Sequence, residues 1–282
     1  TRPRVDRDKL VRLSVYGLPM LGWIIGEPML NHVDRLLLEV LGGSAAVGIY
    51  TSNYMIVDQG LRLVYVPILE AMGPIIFNSW EDSRESEIAS LLRDFSRYFI
   101  LLGVPVLVLV AALSKPLSTL MLGAEFHEGF VVIPIVSSGV FLWSLANLGQ
   151  LGFEVKERTV YLSIGLILTV IINVALNIPL IGAFGYVGAA AATTISYGAY
   201  AVFIRAMSSR GIRWRFPTRS FGVAFAGGVL MGIPAALVYG LGMATAPLVI
   251  ASAVLGIPLY IGVLYSVGEF TDAELDIVRN LV

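Results

Sequence analysis

The stretch 13-LSVYGLPMLGWIIGEPMLNHVDR-35 decides how this chain is read. It opens as an apolar run suited to lipid and closes on Glu27, Pro28, Asn31, His32, Asp34 and Arg35. A helix built for hydrocarbon finishes this way only if that end lies in water or lines a polar cavity enclosed by the rest of the protein. The remaining sequence bears on which of the two it is.

Composition sets the class. The chain is 57% hydrophobic and 14% charged, with a mean hydropathy of +0.82, too apolar for an ordinary soluble domain. Cysteine is absent, which excludes disulfides and thiolate metal sites. The two histidines, His32 and His127, are far apart, and a net charge of −1 gives no nucleic-acid footprint. The fold class is therefore an all-α polytopic membrane protein.

Windows of about 20 apolar residues, the length a spanning helix needs, fall at 13–32, 45–69, 97–121, 130–152, 160–181, 186–207, 220–240 and 244–267. Interior Gly17, Pro19, Pro67, Pro105, Pro134, Pro234 and Pro258 are of the kind membrane helices tolerate. The first window follows a charged lead and lacks a small-residue cleavage site, so it reads as a span and not a signal peptide.

Orientation follows from the basic residues. Taking alternate segments between windows, one set holds Arg2, Arg4, Arg7, Lys9, Arg12, Arg84, Arg93, Arg97, Lys156, Arg158, Arg205, Arg210, Arg213, Arg215, Arg219 and Arg279. The other set holds Arg35 and Lys115, and Arg62 falls inside the second window. The positive-inside rule then places both ends of the segment in the cytoplasm. In 78-NSWEDSRESEIASLLRDFSRYF-99, Ile88, Leu91, Leu92, Phe95 and Phe99 recur at helical spacing between charges. This predicts an amphipathic cytoplasmic helix over about 80–96.

The chain thus divides into a cytoplasmic lead (1–12), six helices (13–207), a basic loop (208–219), two further helices (220–267) and a cytoplasmic tail (268–282). Few ionisable residues enter the spans, and each is costly there. Glu27 lies deep in the first. It reads either as a proton or cation site or, more plainly, as a structural acceptor beside the break at Pro28. Asp58 and Arg62, four apart, share a helix face and can pair; a cavity-facing arginine suits phosphate oxygens. Asn173 and Asn177 also share a face, for which side-chain amide packing between helices is the plain reading. The Gly-, Ala-, Ser- and Thr-rich stretch 182–199 suits a buried, closely packed helix. No nucleotide, flavin, haem or metal motif and no nucleophile with its base appears, so the chain does not read as an enzyme and no cofactor is expected.

The run 31-NHVDRLLLEVLGGSAAVGIYTSNYMI-56, with Asp34-Arg35 and Gly48-Ile49-Tyr50, resembles the seventh-to-eighth helix junction of the polysaccharide-biosynthesis flippases of the multidrug/oligosaccharidyl-lipid/polysaccharide (MOP) exporter superfamily. The stretches 173-NVALNIPLIGAFGYVGAAAATTIS-196 and 150-QLGFEVKERTVYL-162 are similar to that family's Asn-rich helix, outer turn and Gly-Ala-Ala helix and to the approach to them. The resemblance implies helices seven to fourteen of a two-lobed protein: the C-terminal lobe plus two extra helices. An N-terminal lobe is then missing, an expectation with which a chain opening on Thr1 is consistent.

On that resemblance the polar end at 27–35 would line a central cavity for the headgroup of a lipid-linked sugar, while the bilayer holds the tail. The cavity candidates are Arg35 and Arg62 for the pyrophosphate, Asp34 and Asp58 holding them, and Glu27. Glu27, Asn173 and Thr194 are candidates for Na⁺ or H⁺ coupling. The expected function is flipping of oligosaccharide or polysaccharide precursors in the cell membrane by alternating access, with the bilayer, the lipid-linked substrate and the missing lobe as partners and no nucleic acid. Two alternatives stand beside it: a cation-coupled multidrug exporter, in which Glu27 would dominate, and a non-transporting membrane scaffold.

Overall fold

The computed structural model describes residues 7–82, 85–240, 245–272 and 274–276. The start of the expected lead (1–6) and the end of the expected tail (277–282), with Arg2, Arg4, Arg84 and Arg279, lie outside the described residues. Among the described residues all regular structure is helical. Five runs are long and apolar enough to cross a bilayer: Met20–Trp80, Glu85–Ala112, Ala124–Glu154, Val160–Arg210 and Thr218–Val238. The chain is a multi-pass membrane protein.

Two of these runs are hairpins. Arg7–Asp82 is broken at Gly43, whose φ of 82° and ψ of 169° no helix contains; its limbs 7–42 and 44–82 are α1 and α2. The Tyr50 hydroxyl lies 3.1 Å from the Asp34 carboxylate. Sixteen residues of unbroken helix would hold them about 24 Å apart, so α2 returns along α1. Val160–Met207 is likewise broken at Gly185 (φ 57°, ψ −134°), giving α6 (160–184) and α7 (186–207). A Cβ on Gly165 would stand 2.7 Å from the Phe203 ring, a contact that only a doubled-back chain allows. Glycine supplies the positive φ that both turns require.

The other elements are α3 (Glu85–Ala112), α4 (Ser114–Met121), a 3₁₀ segment (Ala124–Val131), α5 (Val132–Glu154), a 3₁₀ turn after α7 (Ser208–Arg210), α8 (Thr218–Gly240) and α9 (Ala246–Ser266). The two hairpins pack against each other and against α5, while α8 pairs with α9 and with α3. The packing is inverted relative to a water-soluble bundle. Val40, Leu63 and Val202 are 81%, 80% and 70% exposed, whereas Asn53, Ser96, Ser137, Asn173, Asn177 and Ser196 are fully buried. Hydrocarbon leaves no penalty on the outer apolar faces, and the inner hydroxyls bond to carbonyls one turn back, as Ser144 does to Val140 at 2.8 Å and Ser196 to Ala192 at 2.7 Å.

The amphipathic stretch is the first half of α3, continuous with the span that follows. It begins at Glu85, and its stripe, Ile88, Leu92 and Phe99, is buried within the bundle. Glu85 pairs with Lys156 at 2.7 Å, tying this end of α3 to the loop after α5. The third window, 97–121, is interrupted at Leu113: α3 ends at Ala112 and the short α4 carries Pro116 in its first turn, where the missing N–H leaves no helical bond unmade. Past α9 the chain is latched. Arg97 donates to Glu269 at 3.2 Å and to Glu274 at 2.7 Å, and Ser220 donates to Glu269 at 2.5 Å. The Arg97 guanidinium holds the Glu274 carboxyl down at about 2.

Candidate functional site

The two glycine turns set the depth of one polar cluster. Asp34 lies nine residues before Gly43 and Tyr50 seven after it; Asn177 and Thr193 lie eight residues to either side of Gly185. At 1.5 Å per residue all four sit about 10–14 Å in from the turns. Packing the hairpins side by side then brings the four side chains together.

Asp34 is 2% exposed. The Tyr50 hydroxyl donates to Oδ2 at 3.1 Å, the Asn177 amide donates to Oδ1 at 3.0 Å, and the Thr193 hydroxyl makes a short bond to Oδ2. The Asn177 amide also reaches Asn173 Oδ1 at 3.0 Å. These donors are all neutral. A carboxylate buried this far in a bilayer with neutral partners carries a large desolvation cost, relieved by one added positive charge.

The cluster has room for a proton. The Thr193 hydroxyl has a second acceptor, Ala189 O, at 3.1 Å. With Asp34 ionised, Thr193 donates to it; with Asp34 protonated, the carboxyl donates to Thr193 and Thr193 donates to Ala189. Both states are satisfied without movement of the backbone. The cluster also fits a monovalent hard cation. Asn177 Oδ1 and Asn173 Nδ2 are buried without a protein partner, and the two ends of an amide exchange by rotation. Rotated, Asn177 would join Asp34, Asn173 and Thr193 as an all-oxygen donor set with a single negative charge, which suits Na⁺. Among the described residues no three His, Asp or Glu converge as a polyvalent metal would need.

One side of the cluster is closed by aromatic rings. Tyr54 and Tyr197 are buried, Trp143 lies 4.8 Å from Tyr197 and 4.7 Å from Tyr200, and Trp23 stacks on Trp143 at 5.5 Å. Beyond them the Tyr200 hydroxyl donates to Gln150 at 3.1 Å, and Gln150 donates to Glu154 at 2.8 Å.

A second polar group is more open and lies on the α1–α2 hairpin alone. Arg62 pairs with Asp58 at 3.8 Å, its side chain 56% exposed. Tyr65 lies within electrostatic reach of Asp58, Arg62 and Glu27. Arg35 is half-buried, its guanidinium 5.3 Å from the centre of the Tyr54 ring.

The residues expected to work together are thus distributed between two places. Asp34 and Asn173 are in the buried cluster; Glu27, Asp58 and Arg62 are on the open strip; Arg35 sits beside it over Tyr54. Glu27, Asn173 and Thr194 do not converge. Glu27 is about 10 Å along α1 from Asp34, and the Thr194 hydroxyl donates to Ile135 O of α5 at 2.8 Å. Adjacent residues of a helix point about 100° apart, so only one of Thr193 and Thr194 can face Asp34. Asp34 does not brace Arg35; its bonds run to Tyr50, Asn177 and Thr193. Tyr50, Asn177 and Thr193 join the cluster unforeseen as site residues, although the four-residue spacing of Asn173 and Asn177 already marked that face.

Comparison with known proteins finds relatives for the first hairpin and for the fold. Residues 1–131, from the start of the chain to the end of the 3₁₀ segment, match the family described as polysaccharide biosynthesis protein. The capsular polysaccharide biosynthesis protein CapF of Staphylococcus aureus is 29% identical over 166 residues, 58% of this chain and 41% of that protein. Among solved structures, the lipid II flippase MurJ in an inward closed conformation superposes with a TM-score of 0.61 at 14% identity, over 81% of this chain and 51% of that one. An outward-facing multidrug resistance MATE family transporter of the MOP superfamily superposes with a TM-score of 0.58 at 18% identity, over 90% of this chain and 64% of that one. The fold is that of these transporters, and the chain spans about half the length of the relatives it matches.

Proposed function

We propose that this chain, which has the fold of the MOP-superfamily transporters, is one lobe of an alternating-access flippase for lipid-linked oligosaccharide or polysaccharide precursors. The observation that carries the reading is a coincidence on one hairpin: the stretch matching polysaccharide biosynthesis proteins includes α1 and α2, which hold Arg35 and Arg62. A second lobe of the same polypeptide faces this hairpin and completes a central cavity.

In that cavity Arg62, oriented by Asp58, and Arg35, oriented over Tyr54, take the anionic pyrophosphate of the substrate, for which the guanidinium fork is suited. Glu27 lines the same wall. The sugar stays in the wet cavity and the acyl chain in the bilayer. No bond is broken, so the protein is not an enzyme; it lowers the barrier for a polar headgroup by alternating between two states. Asp34 stands behind this wall as the coupling site. A Na⁺ held by Asp34, Asn173, Asn177 and Thr193, or a proton on Asp34, supplies the missing positive charge and favours one packing of the α1–α2 hairpin on α6–α7. The excess of Lys and Arg on alternate connections supports an orientation with both ends of the segment in the cytoplasm, in the cell membrane.

A cation-coupled multidrug exporter is the second reading, supported by the similarity to a MATE transporter and by Glu27 and Asp58 on the open strip. The two are separated by the charge that matters. In the full-length protein, Arg62→Ala abolishes flipping of a lipid-linked sugar and Glu27→Gln is tolerated if the first reading holds. Loss with Glu27→Gln and indifference to Arg62→Ala reverses the choice. Under the scaffold reading neither position reacts with a water-soluble thiol reagent after replacement of Arg35 or Arg62 by cysteine in this cysteine-free chain.

A further inference from the structure

Between α7 and α8 the chain reads 205-RAMSSRGIRWRFPTRS-220, with five arginines and no acid. Residues 212–217 lie without regular structure across the end of the bundle, and their side chains alternate. Ile212 is fully buried, and its N–H donates to Gly152 O at 3.1 Å. Trp214 is 2% exposed, and its indole donates to Ser96 at 2.9 Å. A Cβ on Gly149 would stand 2.6 Å from that ring, so the absence of a side chain there is what lets the strap lie down. Arg213 and Arg215 point the other way and are exposed. The strap is pinned by its inward residues, which fixes its arginines on the outer side.

Trp214 and Phe216 of the strap also form one wall of an open groove of about 490 Å³; Leu142 and Leu145 of α5 and Gly198, Ala201 and Val202 of α7 form the rest. Small residues on α7 give the groove its depth. Its surface is apolar, and Arg205, exposed near the end of α7, stands at its rim. An apolar slot with Arg205 at its rim, walled by a strap that carries the exposed Arg213 and Arg215 where the helices end, has the two chemistries of an anionic lipid in the right order.

We infer that this groove is a binding site for an anionic phospholipid of the leaflet at this end of the bundle. One acyl chain lies along Val202 and Leu145, and the phosphate is held by Arg205, Arg213 and Arg215. Charge complementarity selects this occupant over a zwitterionic lipid or an apolar protein segment, neither of which accounts for three arginines without an acid. The site needs no assumption about what the protein transports.

The test is photo-crosslinking of the full-length protein in phosphatidylcholine vesicles doped with phosphatidylglycerol that carries an acyl-chain diazirine. Adducts are expected at 198–206 and 214–216, competed by unlabelled phosphatidylglycerol but not by added phosphatidylcholine. Each of Arg205→Gln, Arg213→Gln and Arg215→Gln should lower the preference for phosphatidylglycerol about fivefold. Val202→Trp keeps the charges, fills the slot and should remove the adducts. Equal labelling by a phosphatidylcholine probe would mean bulk lipid only and overturn the proposal. So would absence of adducts together with Val202→Cys that no lipid-soluble thiol reagent reaches, the signature of a protein segment over the groove. If the arginine variants do not fold, the wild-type competition decides alone.

Discussion

Replacing Asp34 by Asn and by Leu separates what the buried cluster does for folding from the coupling role proposed for it. Asp34 accepts from Tyr50, Asn177 and Thr193. Asparagine keeps one oxygen for the Asn177 amide and offers an N–H where Oδ2 stood. Thr193 can accept that N–H, because its own proton has Ala189 O at 3.1 Å; Tyr50 alone must turn. The neutral amide therefore imitates the protonated carboxyl, and Asp34→Asn should cost about 1–2 kcal/mol, one imperfect hydrogen bond. Leucine takes the carboxylate acceptor from the buried Tyr50 and Asn177 donors, at roughly 1–3 kcal/mol each, so Asp34→Leu should cost about 2–6 kcal/mol. Stability is read by SDS titration of the purified full-length protein, and coupling by the Na⁺ and pH dependence of flipping in vesicles. Asp34→Asn should fold nearly as well as wild type and flip without regard to Na⁺ or pH, or not at all. Equal destabilisation by Asn and Leu, or wild-type ion dependence in Asp34→Asn, would refute these roles for Asp34.

Other predictions follow from single contacts. Gly43→Ala puts a Cβ at φ 82° and should cost about 1–3 kcal/mol in the same titration. Gly182→Ala, within α6 and with open space around it, should be near neutral. Trp214→Phe removes the donor to Ser96 and should cost about 1 kcal/mol, seen as easier proteolysis of the 208–219 strap. The Glu274 carboxyl is held down to about 2 by Arg97, against an ordinary value of 4.5. A depressed carboxyl stabilises the latch above its unfolded value and loses that contribution as pH falls from about 4.5 toward 2. Cleavage of the 269–276 segment by pepsin should therefore rise steeply across that window, and Glu274→Gln should show fast cleavage at its upper end too.

The class was legible because it rests on sums: apolar windows of spanning length and alternating basic connections constrain a polytopic helical protein strongly. The site was only half legible. Asp34 stood out beside the Gly-x-Tyr of α2, and Asn173 and Asn177 at four-residue spacing marked one face of α6. Thr193 could not be told from Thr194, since 100° of helix rotation separates them and only the packing of α7 on α5 and α6 decides which faces Asp34. Asp34 was read as a brace for Arg35 because neighbours in sequence suggest neighbours in space, yet on a helix they diverge. Glu27, the deepest acid by sequence position, lies among the α2 charges because the Gly43 turn sets which residues of the hairpin stand level. One count would have anticipated this: Asp34, Tyr50, Asn177 and Thr193 are nearly equidistant from the two glycines that turn.

The proposed function is that of one lobe of a flippase for lipid-linked glycans. Its most direct measurement is translocation of a fluorescent undecaprenyl-pyrophosphate-linked sugar by the full-length protein in vesicles, read by quenching of outer-leaflet fluorescence with an impermeant reductant. In a flippase of this kind the protected inner pool becomes accessible, Arg62→Ala prevents this, and organic cations neither compete nor are carried. A protein that leaves the inner pool protected while carrying organic cations against their gradient would contradict it.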